Sequence, residues 1–531
     1  MVFQPNRKIT LTNQFIAEKA RYTTARREET DYLYSDISLD NHLVLKNTPL
    51  LLSNTLKMVY DISSSTTLTG QGKMVLGEKR VNNLFLNTSS SDFITRSNSS
   101  YLNAHLNLSS SLPNRSAFTV NNTLVYHTGN QLFRFLPNGK EGLRQDFHLN
   151  SFSNKLGARF YKKQRGVMWY VEAGCDYEHE QLENETLKPV KKQTAEMREN
   201  LLFARGSAEF VLGKVQLGIK TLVGYWHQHL VLSNGKGKRT NRLKVMPEMS
   251  LNATFGRHTF SLTGDYSPDR IAPLSYMERF TDYRNYTFAT PIHYDSKSDY
   301  RMSALYLFHP SLSTNFLVMY NYLISDNQLV NRLEVTEDMN YSTPLGMQTS
   351  NRHFGTLSAG HYVDAIRQSM NLSVNLSSSS FHTGYGDYGL RRIKVLSLYS
   401  SLSVRSAFSF PVNYVLGIRY NVSSVGGYGS GTSRSISASF YEDIVVTLGK
   451  QWKMKLSVGE YLLGHERKLY LFAKPHIAYS LPRHNLTIDL TAYNIFNNKH
   501  IHERFVSEVS SLDSYARIVP AYWLLSVSFR Y

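Results

Sequence analysis

Apolar residues recur at every second position along most of this chain. In the closing stretch "YWLLSVSFRY", Trp523, Leu525, Val527, Phe529 and Tyr531 alternate with Leu524, Ser526, Ser528 and Arg530. Successive side chains of an extended strand point to opposite faces, so the first set forms one apolar face and the second a mostly polar one. The same period runs through Leu486, Ile488, Leu490 and Ala492, through Tyr414, Leu416, Ile418, Tyr420 and Val422, and through Met370, Leu372, Val374 and Leu376. It returns in Val245, Pro247, Met249, Leu251, Ala253 and Phe255, in Val215, Leu217, Ile219, Thr221, Val223 and Tyr225, and in Leu102, Ala104, Leu106 and Leu108. No helical period interrupts the series, which therefore predicts a long succession of two-faced β-strands. A soluble sandwich strand alternates in the same way, so the connections have to decide what solvates the apolar face.

Two kinds of connection alternate. Short ones such as "SLPNRS", "YKKQRG", "FGRHT", "VDAIRQ" and "SLPRHN" carry Pro, Gly and Asn, the residues that suit tight turns. Between them lie longer polar stretches, around Gly426, from Ser325 to Asn351, from Ser267 to Ser298 and from Asn497 to Val519. Antiparallel strands produce this order when all loops of one kind lie at one end. Counting strands of about 10 to 15 residues between the turns gives roughly 22 of them. Packed sandwiches would need a separate turn grammar for each pair of sheets. A closed barrel instead pairs every backbone group between neighbours and leaves no edge in hydrocarbon, where an unpaired group costs several kcal/mol. The expected fold class is all-β: a transmembrane antiparallel up-and-down β-barrel of about 22 strands with short periplasmic turns and long extracellular loops. Residues 1–531 are expected to form one domain.

Composition sharpens this picture. No run approaches the ~18 to 20 apolar residues of a membrane helix, whereas a barrel hides its apolar face at alternate positions. The 35 Tyr and 27 Phe suit the aromatic girdles of two membrane interfaces. Lys and Arg number 59 against 41 Asp and Glu, a formal charge of +18. The basic residues are scattered through "KKQRG", "GKGKR" and "LRRIK" and form no patch, so no nucleic-acid partner is expected. They suit solvated loops facing an anionic surface of outer-membrane lipids and lipopolysaccharide. The one cysteine, Cys175, lies in phase with Trp169, Val171, Ala173 and Tyr177 and reads as a small apolar residue on the outward face. The opening "MVFQPNRKITLTNQF" lacks the apolar core of about 7 to 15 residues that an export signal carries.

Candidate chemistry is sparse. His227 with His229, and His500 with His502, each place two imidazoles on one face of a strand, but no third ligand stands at a defined spacing, so no metal or cofactor is expected. "HERKL" and "HERFV" lack the second histidine of the zinc-protease pattern, and "GGYGSG" from Gly426 to Gly431 is followed by no strand-to-helix transition. No Ser, His and acid stand out as a defined triple, so no enzymatic activity is expected. Substrate contacts are expected instead from a long loop in which Arg270, Arg279, Tyr283, Arg284 and Tyr286 concentrate donors and aromatic rings able to hold an anionic chelate or stack on a sugar.

Three stretches resemble a known family. "LTIDLTAYNIFNNKHIHE", with Tyr493, Asn494, Ile495, Phe496 and Asn497, resembles the signature beside the end of TonB-dependent outer-membrane transporters. The ending "YWLLSVSFRY" is similar to their last strand, whose terminal aromatic is read by the barrel-assembly machinery. "LTGDYSPDRIAPLSYMERFTDYRNYTF" resembles the mid-barrel strand and long loop of Bacteroidetes-type members. The resemblance implies a 22-stranded barrel around an N-terminal plug, taking up a siderophore, cobalamin, glycan or peptide with force supplied by the TonB complex. With no plug, TonB box or export signal visible ahead of the first strand, the expectation is the barrel portion of such a transporter, as a fragment or a truncated reading frame. A passive or structural outer-membrane barrel is the alternative.

Overall fold

The computed structural model describes residues 2–6, 8–32, 38–86, 90–137, 142–187, 190–281, 285–294, 296–336, 339–386, 389–427, 432–449, 451–463, 468–481, 486–507 and 510–529. Among them the backbone forms one sheet of 28 strand segments and two 3-10 turns, Pro273–Tyr276 and Asp364–Ile366. Three of the segments are accessory: the stub Val2–Asn6 and the loop pieces Arg279–Phe280 and Asn285–Thr287. Three pairs are single traversals broken in two, namely Ile9–Lys19 with Tyr22–Tyr32, Leu486–Tyr493 with His500–Val506, and Ser510–Arg517 with Tyr522–Phe529. The remainder is 22 traversals, the number read from the turns. Each pairs antiparallel with the next in the chain, as from Ser38–Asp61 to Thr66–Leu86 and from Trp452–Leu463 to Lys468–Leu481.

Closure falls to the last traversal. Its lower part, Tyr522–Phe529, pairs with Leu486–Tyr493, while its upper part, Ser510–Arg517, pairs with Tyr22–Tyr32 of the first traversal. In the lower half of this seam the edge of Ile9–Lys19 is taken by the stub Val2–Asn6, and among the described residues no ladder joins that stub to Tyr522–Phe529.

The short connections are built as the sequence implies. Asn114 and Arg115, at φ 60° and 55°, form the left-handed pair of a tight hairpin, and Arg165 with Gly166, at 42° and 82°, forms another. Turns with positive φ at both central residues match the right-handed twist of the strands they join.

The outward faces carry the apolar set. Trp523, Leu525 and Val527 are 69%, 65% and 61% exposed; Phe529 has no described side chain and Tyr531 lies outside the described residues. An apolar surface that encircles the molecule far exceeds what a protein in water tolerates, and lipid chains are the solvent that suits it. Aromatic pairs mark both margins of the belt. Near the short turns stand Phe160 with Trp169, ring centroids 5.6 Å apart, and Trp452 with Tyr479 at 4.5 Å. Eight residues higher stand Phe152 with Tyr177, at 6.0 Å. Eight tilted residues rise about 20 Å, close to the height of a barrel's apolar band. The inner wall is polar, with Ser, Asn and Thr bonded across strands, as in Thr356 donating to Asn375 Oδ1 at 2.8 Å.

Strand length departs from the expected 10 to 15 residues. Ser38–Asp61 and Asn340–Val363 run 24 residues and Val190–Leu212 runs 23, while Trp452–Leu463 runs 12. The polar stretch from Ser325 to Asn351 is mostly paired strand, with Leu329 opposite Met347 and Val335 opposite Asn340. The stretch from Asn497 to Val519 is largely the hairpin His500–Val506 with Ser510–Arg517. Above the bilayer both faces of a strand meet water or lumen, so the ladder continues without apolar alternation to mark it. Of the "GGYGSG" stretch, Tyr428 to Gly431 lie outside the described residues.

The stretch Tyr493 to Asn497 is the break in the penultimate traversal. Asn494 and Asn497 both adopt left-handed backbone, at φ 50° and 53°, where Asn is tolerated better than other side chains. The Asn494 amide donates to Asn498 O and Val519 O, both at 2.9 Å, and its Oδ1 accepts from Asn498 N at 3.0 Å. Asn497 Oδ1 accepts from Ala521 N at 3.2 Å, and Tyr493 stacks on Tyr522 at 4.7 Å. The motif thus clasps the break in one traversal to the break in the next. Asn494→Ala is expected to destabilise the barrel by about 2–4 kcal/mol through lost bonds and left-handed strain. Asn494→Gly should recover the conformational part, read from the thermal midpoint of the compact, heat-modifiable gel band.

Candidate functional site

At the outer mouth the connection between His258–Arg270 and Ser296–Ser311 turns into the lumen. The strand ladders prepare this. Gly237–Phe255 and His258–Arg270 are paired only up to Glu248 and Asp265, and above that point the second strand pairs with Ser296–Ser311 alone. Through the resulting split Arg270 reaches the inner wall. Its guanidinium meets Glu178 at 3.0 Å, Glu180 at 3.2 Å and Glu199 at 3.2 Å, and the side chain is 14% exposed. Beside it Trp226 is buried, with Lys244 Nζ 3.4 Å from the ring centroid.

Beyond Arg270 the chain forms a strap. Pro273, pre-set for a helical first turn, opens the 3-10 turn, and Ile271 and Tyr276 pack on Met197 and Leu230. Met277 packs on Leu182 and Ala195. These wall residues lie on inward positions, which explains why apolar groups occur high on a face that is otherwise polar.

Two buried amides fix the strap's backbone. Gln145, 1% exposed, accepts from Phe280 N at 2.8 Å and donates to Phe280 O at 3.3 Å. Asn184 donates to Glu278 O at 2.7 Å. Glu278 pairs with Lys191 and accepts from the Tyr286 hydroxyl at 2.7 Å. Burial works against the Glu278 carboxylate, but the bonds from Lys191 and Tyr286 outweigh it and hold the group below the ordinary range. The Tyr286 hydroxyl is pushed upward, by burial and then by the bond to Glu278. Burial lowers the Arg279 guanidinium, which donates to Leu274 O at 2.7 Å.

The strap then crosses to another part of the wall. Arg279–Phe280 pairs with Asn285–Thr287 as a small hairpin. Asn285–Thr287 lies parallel to Asn340–Ser342 of the long strand Asn340–Val363, and Phe288 N donates to Ser342 O at 2.9 Å. Its half-buried crest is aromatic: Tyr286 and Phe288 are 5.1 Å apart, and Tyr341 lies 6.3 Å and 6.2 Å from them. The arrangement can present ring faces to a ligand while narrowing the passage beneath.

The predicted contact residues therefore fall into three groups. Arg270 and Arg279 are engaged within the protein as the strap's root and brace. Tyr286 joins the aromatic crest while its hydroxyl is held by Glu278. Tyr283 and Arg284 lie outside the described residues. Sequence reasoning passed over Phe288, two residues beyond Tyr286 in the same connection, and Gln145, Asn184 and Tyr341, which come from strands distant in the chain. The apolar density of "IAPLSYMERF" within a connection was the available signal for burial. The histidine pairs are occupied singly, with His227 Nδ1 2.5 Å from Asn241 Oδ1 and His502 Nε2 2.8 Å from Asp513 Oδ1. Among the described residues no group of three His, Cys, Asp or Glu side chains is arranged to hold a metal.

No sequence-family description matches this chain, and no curated protein matches its sequence. Solved structures do match it by shape. The copper transporter OprC superposes over 94% of this chain and 80% of its own, with a TM-score of 0.54 at 7% identity. The FrpB iron transporter of Neisseria meningitidis covers 94% and 81% at a TM-score of 0.47 and 9% identity. The Serratia marcescens hemophore receptor HasR, solved as a double mutant with its hemophore HasA and heme, covers 94% and 80% at 0.47 and 8%. At 7% identity the superposition on OprC shows a likeness of fold alone. The chain is a large single-chain transmembrane β-barrel with an inward strap at its mouth, and it shares its architecture with the barrel of the copper transporter OprC.

Proposed function

We propose that the chain is the barrel of a TonB-dependent receptor in the outer membrane, and that it takes up a scarce nutrient through a lumen gated by a plug domain. The observation that carries this reading is the 22-traversal architecture shared along almost the whole chain with a transporter barrel. The crest of Tyr286, Phe288 and Tyr341 suits a cargo with ring or planar faces, such as a siderophore, cobalamin, a glycan or an aromatic peptide side chain. A bare metal ion suits it less, because no ligand cluster stands among the described residues. The proposal extends to the partners: lipids and lipopolysaccharide around the belt, the barrel-assembly machinery for the last strand, and the TonB complex through the plug.

The test is accumulation of labelled cargo from that panel in cells expressing the full-length gene product. Uptake against a gradient that stops when the proton-motive force is collapsed supports the proposal. Equilibration indifferent to energy would establish a passive barrel instead. Tyr341→Ala should weaken binding of the accumulated cargo up to about tenfold, since an aromatic pair contributes about 0.5–1.5 kcal/mol.

A further inference from the structure

Four arginines stand together on the outer wall above the lipid-facing belt. Arg80, on Thr66–Leu86, lies directly opposite Arg96, on Ser90–Leu112, and Arg134, on Ser116–Pro137, lies directly opposite Arg144, on Leu143–Gln164. The two pairs adjoin: Arg96 faces Leu132 and Ile94 faces Arg134, so the second pair stands one outward step higher and two strands along. Register puts all four on the outward face, in phase with Met74, Leu102, Tyr126 and Phe152 of the belt. Lys46 extends the band onto the neighbouring strand, opposite Asn82. Two acids share it: Asp146 holds Arg144 at 3.0 Å, and Glu78 lies one outward step below Arg80, opposite Asn98. Five cations therefore stand with two carboxylates. Arg80 and Arg96 are exposed and have no carboxylate partner among the described residues; the Arg80 guanidinium donates to Asn82 Oδ1 at 3.4 Å.

Like charges directly opposite on one face of an antiparallel pair repel, with Cβ atoms about 5 Å apart. Two guanidinium forks that close can share one tetrahedral anion. Height selects the source of that anion. Arg80 lies four residues above Leu76 and Arg96 six above Leu102, rises of about 10 and 15 Å in tilted strands. Phospholipid headgroups extend only about 5–7 Å beyond the hydrocarbon and fall short. We propose that the band binds the phosphorylated saccharide headgroup of an outer-leaflet glycolipid whose acyl chains lie on the belt below. Arg80 and Arg96 clasp one phosphate group, and Lys46, Arg134 and Arg144 draw in the next. Continuity selects this occupant over an acidic protein. The band stands directly above Met74, Leu76, Leu102 and Tyr126, all exposed on the same strands, so an anion site crowns a surface already solvated by acyl chains. The inference deepens the lipopolysaccharide partner proposed above, rests on that outer-membrane reading, and is independent of what the lumen carries.

Lipopolysaccharide, its dephosphorylated form and inorganic phosphate, each titrated into the full-length gene product in detergent and read by native mass spectrometry, test it. The expected result is lipopolysaccharide retained on the barrel, with binding weakened about tenfold or more in the double variant Arg80→Ser, Arg96→Ser and weakened by added salt. The dephosphorylated form should bind the unaltered barrel no better than lipopolysaccharide binds the double variant. Inorganic phosphate should bind far more weakly, because it brings no apolar surface to the belt. Lys79→Ser, beside Arg80 but on the lumen face, should change nothing. Removing opposed like charges leaves the ladder intact, so the double variant should keep its heat-modifiable mobility. Equal binding of the two lipopolysaccharide forms, binding indifferent to the serines, or inorganic phosphate held as tightly as the glycolipid would each overturn the proposal. A barrel that binds the glycolipid yet transports nothing strikes the uptake proposal alone, and one that transports yet ignores the glycolipid strikes this one.

Discussion

Replacing Arg270 with alanine is expected to release the strap from the wall while leaving the barrel folded. Three carboxylates, Glu178, Glu180 and Glu199, converge within 3.2 Å of this one guanidinium. Removing one member of a buried ionic network costs about 3–5 kcal/mol, mostly because the remaining charges are left without a counter-ion. Here those charges sit at the root of the strap, and the nearest way to relieve them is to let the split between Gly237–Phe255 and His258–Arg270 open and admit water. The strap would then be held by Gln145, Asn184, the Lys191–Glu278 pair, the parallel pairing with Asn340–Ser342 and its apolar anchors. Hydrogen exchange should show protection of Phe280 N, Phe288 N and Thr290 N falling about a hundredfold or more, with the wall strands unchanged and new proteolytic cuts between residues 271 and 295. Arg270→Lys keeps the charge but cannot reach three carboxylates with a rigid fork, and it should fall between. Unchanged protection in Arg270→Ala would mean that the charge network is incidental and the apolar clusters hold the strap.

Placing an arginine on the outward face is expected to have the second large effect. Leu251 lies on Gly237–Phe255 between Leu217 and Leu262, well inside the belt, and its side chain is exposed. Leu251→Arg should cost about 2–4 kcal/mol if lipid solvates this position. Asn252→Arg, one residue along on the lumen face, should cost nearly nothing. Refolding midpoints in phospholipid vesicles measure both. Equal costs would show that the outward residues pack against protein, and the transmembrane assignment would fall with that result.

The parts legible in the sequence are those that a single solvent contrast writes into it. Inside the bilayer each strand separates lipid from lumen, so Leu486, Ile488, Leu490 and Ala492, or Trp523, Leu525 and Val527, announce their face by alternation alone. Tight turns announce themselves through backbone chemistry, as Asn114 and Gly166 do. Above the bilayer the contrast vanishes, and the paired strands on either side of residue 337 read as loop because both faces tolerate polar residues. The strap was invisible for another reason. Its anchors Gln145 and Asn184 stand 135 and 94 residues away from Phe280 and Glu278, and nothing local marks an inward amide as an anchor. Arg270 was singled out for its chemistry, yet its meaning depends on three glutamates contributed by two other strands.

The unequal strands also shape the entrance. A tilted strand of about 22 residues rises roughly 55 Å, and one of about 12 rises roughly 30 Å, barely clearing the apolar layer. The wall from Ser38 to Leu212 belongs to the first kind, and the traversals around Trp452–Leu463 and Lys468–Leu481 to the second. A cylinder cut so obliquely has a hooded opening. Its tall side screens the mouth from the bulk, while its low side leaves the mouth open along the membrane surface.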